Sequence, residues 1–175
     1  MNFFNKYFAF RSEVVSIQSQ LDISKKEIER LKEQISELSF TLTEPSTYGT
    51  ISYGDVSSIL NNCFPNAEIN ISDSYFNLTT MEEAKVFTVD TKVCYRKWVA
   101  EDHDCDNFSF ALMGYWSQGL KSFAFGIAWS AGHAFNFMID KDKKVWIIEP
   151  QTNSYMLLVD AQKNPMYSNV RLVLL

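Results

Sequence analysis

The sequence predicts an α+β fold with a helical N-terminal segment, and three observations carry this prediction. Residues 13–42 contain neither Gly nor Pro and repeat apolar residues every seven positions, which is typical of a long helix. A second helical pattern begins at Cys105, and beyond Gly119 short apolar runs alternate with turns. A helix followed by an antiparallel set of strands is typical of α+β domains.

Composition limits the classes of protein that this chain can belong to. Its 175 residues fit one large domain, or one domain with an appendage, and a hydrophobic content of 46% is enough for a core. A formal charge of −5 without a basic run argues against nucleic-acid binding. The three cysteines are an odd number without the spacing of a disulfide framework, which favours free thiols in a reducing compartment.

The N-terminal sequence lacks the features of a targeting segment. The stretch MNFFNKYFAFRSE has aromatic residues but neither a continuous apolar run nor a small-residue cleavage site, so we expect no signal peptide. No segment approaches the roughly 20 apolar residues that a membrane-spanning helix needs. These observations predict a cytoplasmic protein without a transmembrane segment.

The N-terminal segment carries a heptad pattern that predicts self-association. One heptad position holds Val14, Leu21, Ile28, Ile35 and Leu42, and its companion holds Ile17, Ser24, Leu31 and Leu38. Isoleucine at the first position with leucine at the second favours parallel two-stranded coiled coils, although Ser24 interrupts the seam. The alternative is one long helix folded back on the globular part. Pro45 ends the helix, so we predict a helical segment over 1–45, a homo-oligomer formed through 13–42, and a second domain over 46–175.

The elements of the second domain follow from shorter patterns. We expect helices over 55–64 and from Cys105 to near Gly119, a polar loop over 73–83, and a charged hairpin loop over 140–144. The predicted strands cover 67–71, 86–89, 123–129, 133–139, 145–149, 155–159 and 170–175.

Cys105 occupies a position where a thiol can be activated. Asp104 is a good N-cap residue, Cys105 then opens the helix, and Asp106 lies in its first turn. At a helix N-terminus a thiol meets unpaired backbone N–H groups and the positive end of the helix dipole, which favour the thiolate. The alternative is an inert cysteine buried beneath a capped helix.

Two further residues complete a candidate catalytic set. His133 starts one predicted strand and Glu149 ends the next, and the short loop between them makes these strands antiparallel neighbours. We therefore expect His133 and Glu149 to meet at one edge of the sheet, where the helix can bring Cys105 to the imidazole; the alternative is a structural histidine in the sheet and an exposed Glu149. Along the chain, a nucleophile (Cys105), a base (His133) and an orienting acid (Glu149) then follow one another in the order found in thiol proteases.

These blocks carry a resemblance to a known family. DCDNFSFALMG, GHAFNFMID and VWIIEPQT resemble the papain-like cysteine peptidase domain at the C-terminus of the fairy-ring mushroom (Marasmius) agglutinin, which has bacterial and phage relatives. The resemblance covers roughly residues 52–175 and implies a papain-like fold with Cys105 as nucleophile, His133 as base and Glu149 as orienting residue. The chain has no counterpart of the agglutinin's sugar-binding trefoil, and the second donor of an oxyanion hole is unassigned.

An acidic turn beside Cys105 suggests a metal site. Glu101, Asp104 and Asp106 lie within six residues, and oxygen-rich clusters suit Ca²⁺, with Mn²⁺ as a substitute. The resemblance also implies calcium-dependent activity. We therefore predict a calcium site formed by Glu101, Asp104 and Asp106, with Gln151 as a further ligand; the alternative is a solvated helix N-terminus, where acidic residues are favoured anyway.

Together these features predict a thiol-dependent peptide or amide hydrolase that acts through an acyl-enzyme on a peptide or protein substrate. The alternative is a non-catalytic structural or interaction protein, such as a phage particle component, that oligomerises through its heptads. On that alternative the protein is virion-associated.

Overall fold

The computed structural model describes the backbone of residues 3–38 and 42–175, and the side chains of 13–32 and 42–175. The chain divides into two compact units, residues 1–41 and residues 42–175. No helix within the described ranges is long and apolar enough to cross a membrane.

The first unit is a single helix, α1, which spans Phe3–Leu38. Its apolar heptad residues with described side chains are all exposed, with relative exposures from 44% to 58%: Val14, Ile17, Leu21, Ile28 and Leu31. Ile35 and Leu38 lie outside the described side chains. Leu42, which the heptad pattern assigns to the coiled coil, instead packs against a core of the second unit, so the predicted segment is too long at its C-terminal end.

The second unit is an α+β domain, as predicted. Its helices are α2 (Tyr53–Cys63), α3 (Met81–Asp90), α4 (Cys105–Ser117) and α5 (Leu158–Ala161), with 3-10 turns at Val93–Tyr95 and Pro165–Tyr167. Its strands are β1 (Thr50–Ser52), β2 (Glu68–Asn70), β3 (Tyr75–Asn77), β4 (Phe125–Trp129), β5 (Ala134–Ile139), β6 (Val145–Glu149), β7 (Ser154–Leu157) and β8 (Leu172–Leu174).

Six of these strands form one mixed sheet in the order β2-β8-β4-β5-β6-β7, while β1 and β3 pair separately. Strands β4 to β7 form the antiparallel meander that the sequence predicts. The C-terminal strand β8 lies between β2 and β4 and pairs in parallel with β2. This crossover is not visible in local sequence patterns, because it joins segments about 100 residues apart.

The alternation of side chains along β5 divides them between two cores. Phe135 and Phe137 lie in a core with Leu60 of α2. Met138 faces the other way and lies in a second core with Leu112 of α4. Every residue of β5 is buried, since helices cover both faces of the sheet.

Two predicted elements are wrong. Residues 86–89 belong to helix α3 rather than to a strand, and 73–83 contain β3 and the start of α3 rather than a continuous loop. The Thr80 hydroxyl accepts a hydrogen bond from the Glu83 N–H and caps α3. Met81, Ala84 and Thr88 then form a buried helical face, which outweighs the β propensity of the branched residues.

The charged hairpin between β5 and β6 is organised by the buried Asp140. One carboxylate oxygen accepts hydrogen bonds of 2.9 Å from the Asp142 and Lys144 N–H groups, and the other accepts one of 2.7 Å from the Trp146 indole. These bonds fix the loop and with it the register of β5 on β6. That register determines which residues meet at the far edge of the sheet.

Candidate functional site

The cysteine at the start of α4 is held by local hydrogen bonds. The Asp104 N–H donates to Asn107 Oδ1 at 3.1 Å, which ties the N-cap to the first turn. The Ser109 hydroxyl donates to the Cys105 carbonyl at 2.9 Å. Cys105 is half-buried and is the first residue of the helix, as the sequence predicts.

A buried asparagine anchors α4 to the sheet. The Asn136 side-chain amide donates to the Ser109 carbonyl of α4 at 3.0 Å and to the Gly126 carbonyl of β4 at 3.1 Å. Asn136 is fully buried, so these bonds form away from competing water and are costly to lose. They fix the start of α4 against the strand that follows His133.

The thiol contacts this same strand directly. The Ala134 N–H donates to Cys105 Sγ at 3.4 Å. A hydrogen bond to sulfur stabilises its negatively charged form. The contact places Cys105 beside the residue that follows His133, as the predicted constellation requires.

His133 and Glu149 form a close buried pair. Nε2 of His133 lies 2.6 Å from Oε2 of Glu149, and the two residues are only 7% and 6% exposed. The carboxylate accepts from the imidazole at Nε2, which assigns the proton to that nitrogen and leaves Nδ1 as the basic atom of the neutral ring. Within the described chain no hydrogen bond joins His133 directly to the thiol; Ala134 is the link between them.

Tyr167 also contacts this pair. Its hydroxyl donates to Glu149 Oε2 at 3.0 Å, and its ring packs edge-on against the rings of His133 and Phe135, at centroid distances of 5.7 and 5.2 Å. Burial, reinforced by the negative charge of Glu149, raises the pKa of Tyr167 to about 12. The hydroxyl therefore remains a donor throughout the physiological pH range.

The residues of the predicted calcium site are only partly assembled. The Asp104 and Asp106 carboxyls are hydrogen-bonded to each other, and this contact, together with burial, raises the pKa of Asp106 above its ordinary value of 3.8. In the described ranges no group of three or more His, Cys, Asp or Glu side chains is placed to hold a metal ion. The contact found for Gln151 is that of its backbone N–H, which donates to Glu149 Oε1 at 3.3 Å. Calcium binding by Glu101, Asp104, Asp106 and Gln151 therefore stays a prediction.

Sequence reasoning identified three residues of this cluster and missed Asn136 and Tyr167. Asn136 is a polar residue inside an apolar run, a signal that a buried partner is needed. Asn164-Pro165 marks the turn that presents Tyr167. No spacing rule connects that turn with Glu149, since tertiary packing alone brings the two together.

Comparisons with known proteins show a shared fold. No protein-family model and no curated protein sequence matches this chain. Among solved structures, the PSL1a–E64 complex matches with a TM-score of 0.62 and 17% sequence identity, over 72% of this chain and 51% of that one. The Polyporus squamosus lectin bound to the human-type influenza-binding epitope Neu5Aca2-6Galb1-4GlcNAc matches with a TM-score of 0.59 and 18% identity, over 72% of this chain and 49% of that one. The chain thus spans about half the length of each.

These matches contradict the family and function predicted from the sequence. The matched protein is a lectin by name, and one of its structures holds a glycan, so the assignment to papain-like cysteine peptidases and the prediction of a peptide hydrolase are wrong by this comparison. The phage-component alternative receives no support either. The physical reason is that the D-C-D, G-H-A and E-P-Q blocks are short, and a fold with such blocks in place does not by itself specify an activity.

Proposed function

We propose that Cys105, His133 and Glu149 form a reactive-thiol site that binds an electrophilic ligand covalently. The observation that carries this proposal is the buried 2.6 Å contact between His133 and Glu149, next to the residue whose N–H donates to the thiol. Such arrangements of thiol, imidazole and carboxylate activate a nucleophile. The proposal concerns the reactivity of the thiol and does not extend to peptide hydrolysis.

Each residue has a defined task in this chemistry. Glu149 holds the Nε2–H tautomer of His133, so Nδ1 can accept the thiol proton. The sulfur then attacks an electrophilic carbon, an S–C bond forms, and the bond from that carbon to its heteroatom breaks. The imidazolium returns the proton to that heteroatom. The Ala134 N–H and the N-terminus of α4 stabilise the thiolate before the attack.

One of the matched structures supports this choice of ligand class. PSL1a shares the fold over about half its length and was solved with E64. E64 is an epoxide, a strained electrophile that thiolates open. At 17% identity the match supports the fold, and the reactivity of Cys105 in this chain is to be measured directly.

The test compares Cys105 with Cys63 in the same molecule. The protein is treated with iodoacetamide or E64 at neutral pH, and each site is followed by peptide mass spectrometry. Cys63 is an internal control, because burial raises the pKa of its thiol and makes it a poor nucleophile. We expect Cys105 to react faster than Cys63 by about tenfold or more, and His133→Ala and Glu149→Gln to slow only Cys105. Equal rates at Cys105 and Cys63, unchanged in both variants, would refute the proposal.

A second candidate function is glycan binding, which the lectin match favours. The described surface offers Tyr95 and Trp98, which are 77% and 54% exposed and close in sequence; exposed aromatic faces of this kind are common in binding sites. Calorimetric titration with the trisaccharide Neu5Aca2-6Galb1-4GlcNAc tests this candidate. Binding that is lost in Trp98→Ala would establish it, whereas no heat at millimolar sugar would exclude it.

We further propose that the chain forms a homo-oligomer through α1. Five apolar heptad residues in the described part of this helix are exposed, and an exposed apolar stripe along a helix, here interrupted at Ser24, favours association with a second copy.

A further inference from the structure

The second hydrogen bond to Glu149 comes from a residue outside the proposed triad. Oε2 of Glu149, which accepts from His133 Nε2, also accepts from the Tyr167 hydroxyl at 3.0 Å. The other carboxylate oxygen, Oε1, accepts from the Gln151 N–H at 3.3 Å. The buried carboxylate therefore accepts three hydrogen bonds: one from the residue that precedes β5, one from a turn and one from a 3-10 turn.

The position of the tyrosine is itself well determined. Asn164 accepts a hydrogen bond from the Met166 N–H at 3.0 Å and caps the 3-10 turn Pro165–Tyr167. The Tyr167 ring is 8% exposed and belongs to the first core. Its hydroxyl is thus delivered to Glu149 by a constrained turn and a packed ring.

A buried carboxylate with a single partner is free to rotate about its last bond. Two donors on Oε2 and one on Oε1 fix its plane, and the direction of the Oε2 lone pairs determines where the His133 Nε2–H must point. The ring orientation of His133, and hence the position of Nδ1, depends on that plane. A hydroxyl that donates to Oε2 also leaves a defined lone pair of that oxygen to accept the His133 Nε2–H.

We propose that Tyr167 is a positioning residue for the reactive-thiol site: through Glu149 it fixes the tautomer and orientation of His133. The inference rests on the proposed function, since it assigns a further residue to the same site. Tyr167 does not touch the thiol or the electrophile and acts only through the carboxylate.

A purely structural role would have different consequences. The Tyr167 ring fills space beside His133 and Phe135, and Tyr167→Phe preserves that ring while removing the hydroxyl. Tyr155→Phe is a matched control, because the Tyr155 hydroxyl is also buried but interacts with Thr88 rather than with a residue of the site. A structural role predicts similar behaviour of the two variants.

The experiment measures the histidine and the thiol separately. Proton–nitrogen correlation spectra of the ¹⁵N-histidine-labelled full chain report the tautomer of His133, and alkylation by iodoacetamide at neutral pH reports Cys105. In Tyr167→Phe we expect an altered His133 tautomer signature and a rate at Cys105 that is lower by about three- to tenfold, the effect of one hydrogen bond. Tyr155→Phe should leave both unchanged.

The two readouts separate failure of the inference from failure of the proposed function. If Cys105 is reactive in the parent protein but Tyr167→Phe changes neither readout, the inference is overturned and the proposed function stands. If Cys105 reacts no faster than Cys63 in the parent, the proposed function fails, and the His133 spectrum alone decides whether Tyr167 positions the imidazole. Should Tyr167→Phe prove unfolded by circular dichroism, Asn164→Ala, which removes only the cap of the turn, takes its place with the same expectations.

Discussion

The Cys105 thiol and the Ala134 N–H lie 3.4 Å apart, although 29 residues separate them in the chain. This contact joins the first residue of α4 to the first residue of β5. The contact depends on the position of α4 on the sheet. The Asn136 side chain fixes this position, because it donates hydrogen bonds to a carbonyl of α4 and to a carbonyl of β4.

Replacing Asn136 by alanine should loosen α4 from the sheet. The change removes two buried hydrogen bonds, and we expect the free energy of unfolding to fall by about 1–3 kcal/mol. Urea denaturation measures this value. Asn61→Ala is the control, because the Asn61 amide bonds are exposed and lie within α2, and its effect should stay within about 0.5 kcal/mol. Equal effects of the two changes would contradict the anchoring role.

The two carboxyls beside Cys105 predict a pH-dependent effect on stability. The hydrogen bond to Asp104 raises the pKa of Asp106 in the folded protein, so this group stabilises the fold at low pH and loses that contribution as pH rises through its folded pKa. Asp106→Asn should therefore raise the melting temperature relative to the parent at neutral pH, with the difference shrinking below about pH 4. A difference that is constant with pH would contradict this assignment.

The same variant tests the predicted calcium site. If Glu101, Asp104, Asp106 and Gln151 bind Ca²⁺, addition of the ion should raise the melting temperature of the parent protein and not that of Asp106→Asn, because a ligand that binds only the folded state stabilises it. Calorimetric titration of both proteins is the direct measurement. An absence of binding heat in the parent protein would exclude the site.

Two glycines should respond in opposite ways to alanine. A Cβ at Gly126 in β4 would collide with the Leu174 carbonyl and come within 2.7 Å of the Phe137 ring, so Gly126→Ala should destabilise the domain by about 1–3 kcal/mol through overpacking. A Cβ at Gly114 in α4 would meet nothing within 4 Å, and Gly114→Ala should stabilise the helix by about 0.5–1 kcal/mol. Thermal unfolding measures both, and a loss of stability in Gly114→Ala would contradict the description of α4.

The heptad residues predict the mass of the protein in solution. Light scattering of the full chain should give a multiple of the 20.2 kDa chain mass, and Ile28→Asp should shift it to the monomer value, since a charge in a coiled-coil seam is not tolerated. Glu29→Ala is the control, because Glu29 is exposed outside the seam. A monomeric parent protein would exclude self-association through α1.

The prediction of elements from the sequence succeeded where one pattern dominated and failed where two competed. The start of α4 at Cys105 was predictable, because a capping aspartate precedes a helical apolar face. The prediction of a strand over 86–89 was wrong, because β-branched residues favour strands and the helix cap at Thr80 was not considered. The family resemblance drew on three short blocks, and such blocks did not determine what kind of protein carries them.

The sequence alone determined the α+β class, the hairpin of β5 and β6, and therefore the meeting of His133 with Glu149, because a short loop between two strands leaves little choice of register. Only the tertiary structure decided that β8 lies between β2 and β4, that Asn136 docks α4, and that Tyr167 reaches Glu149. These contacts join segments far apart in the chain, and their free energy comes from burial and complementary polar groups that no local pattern records.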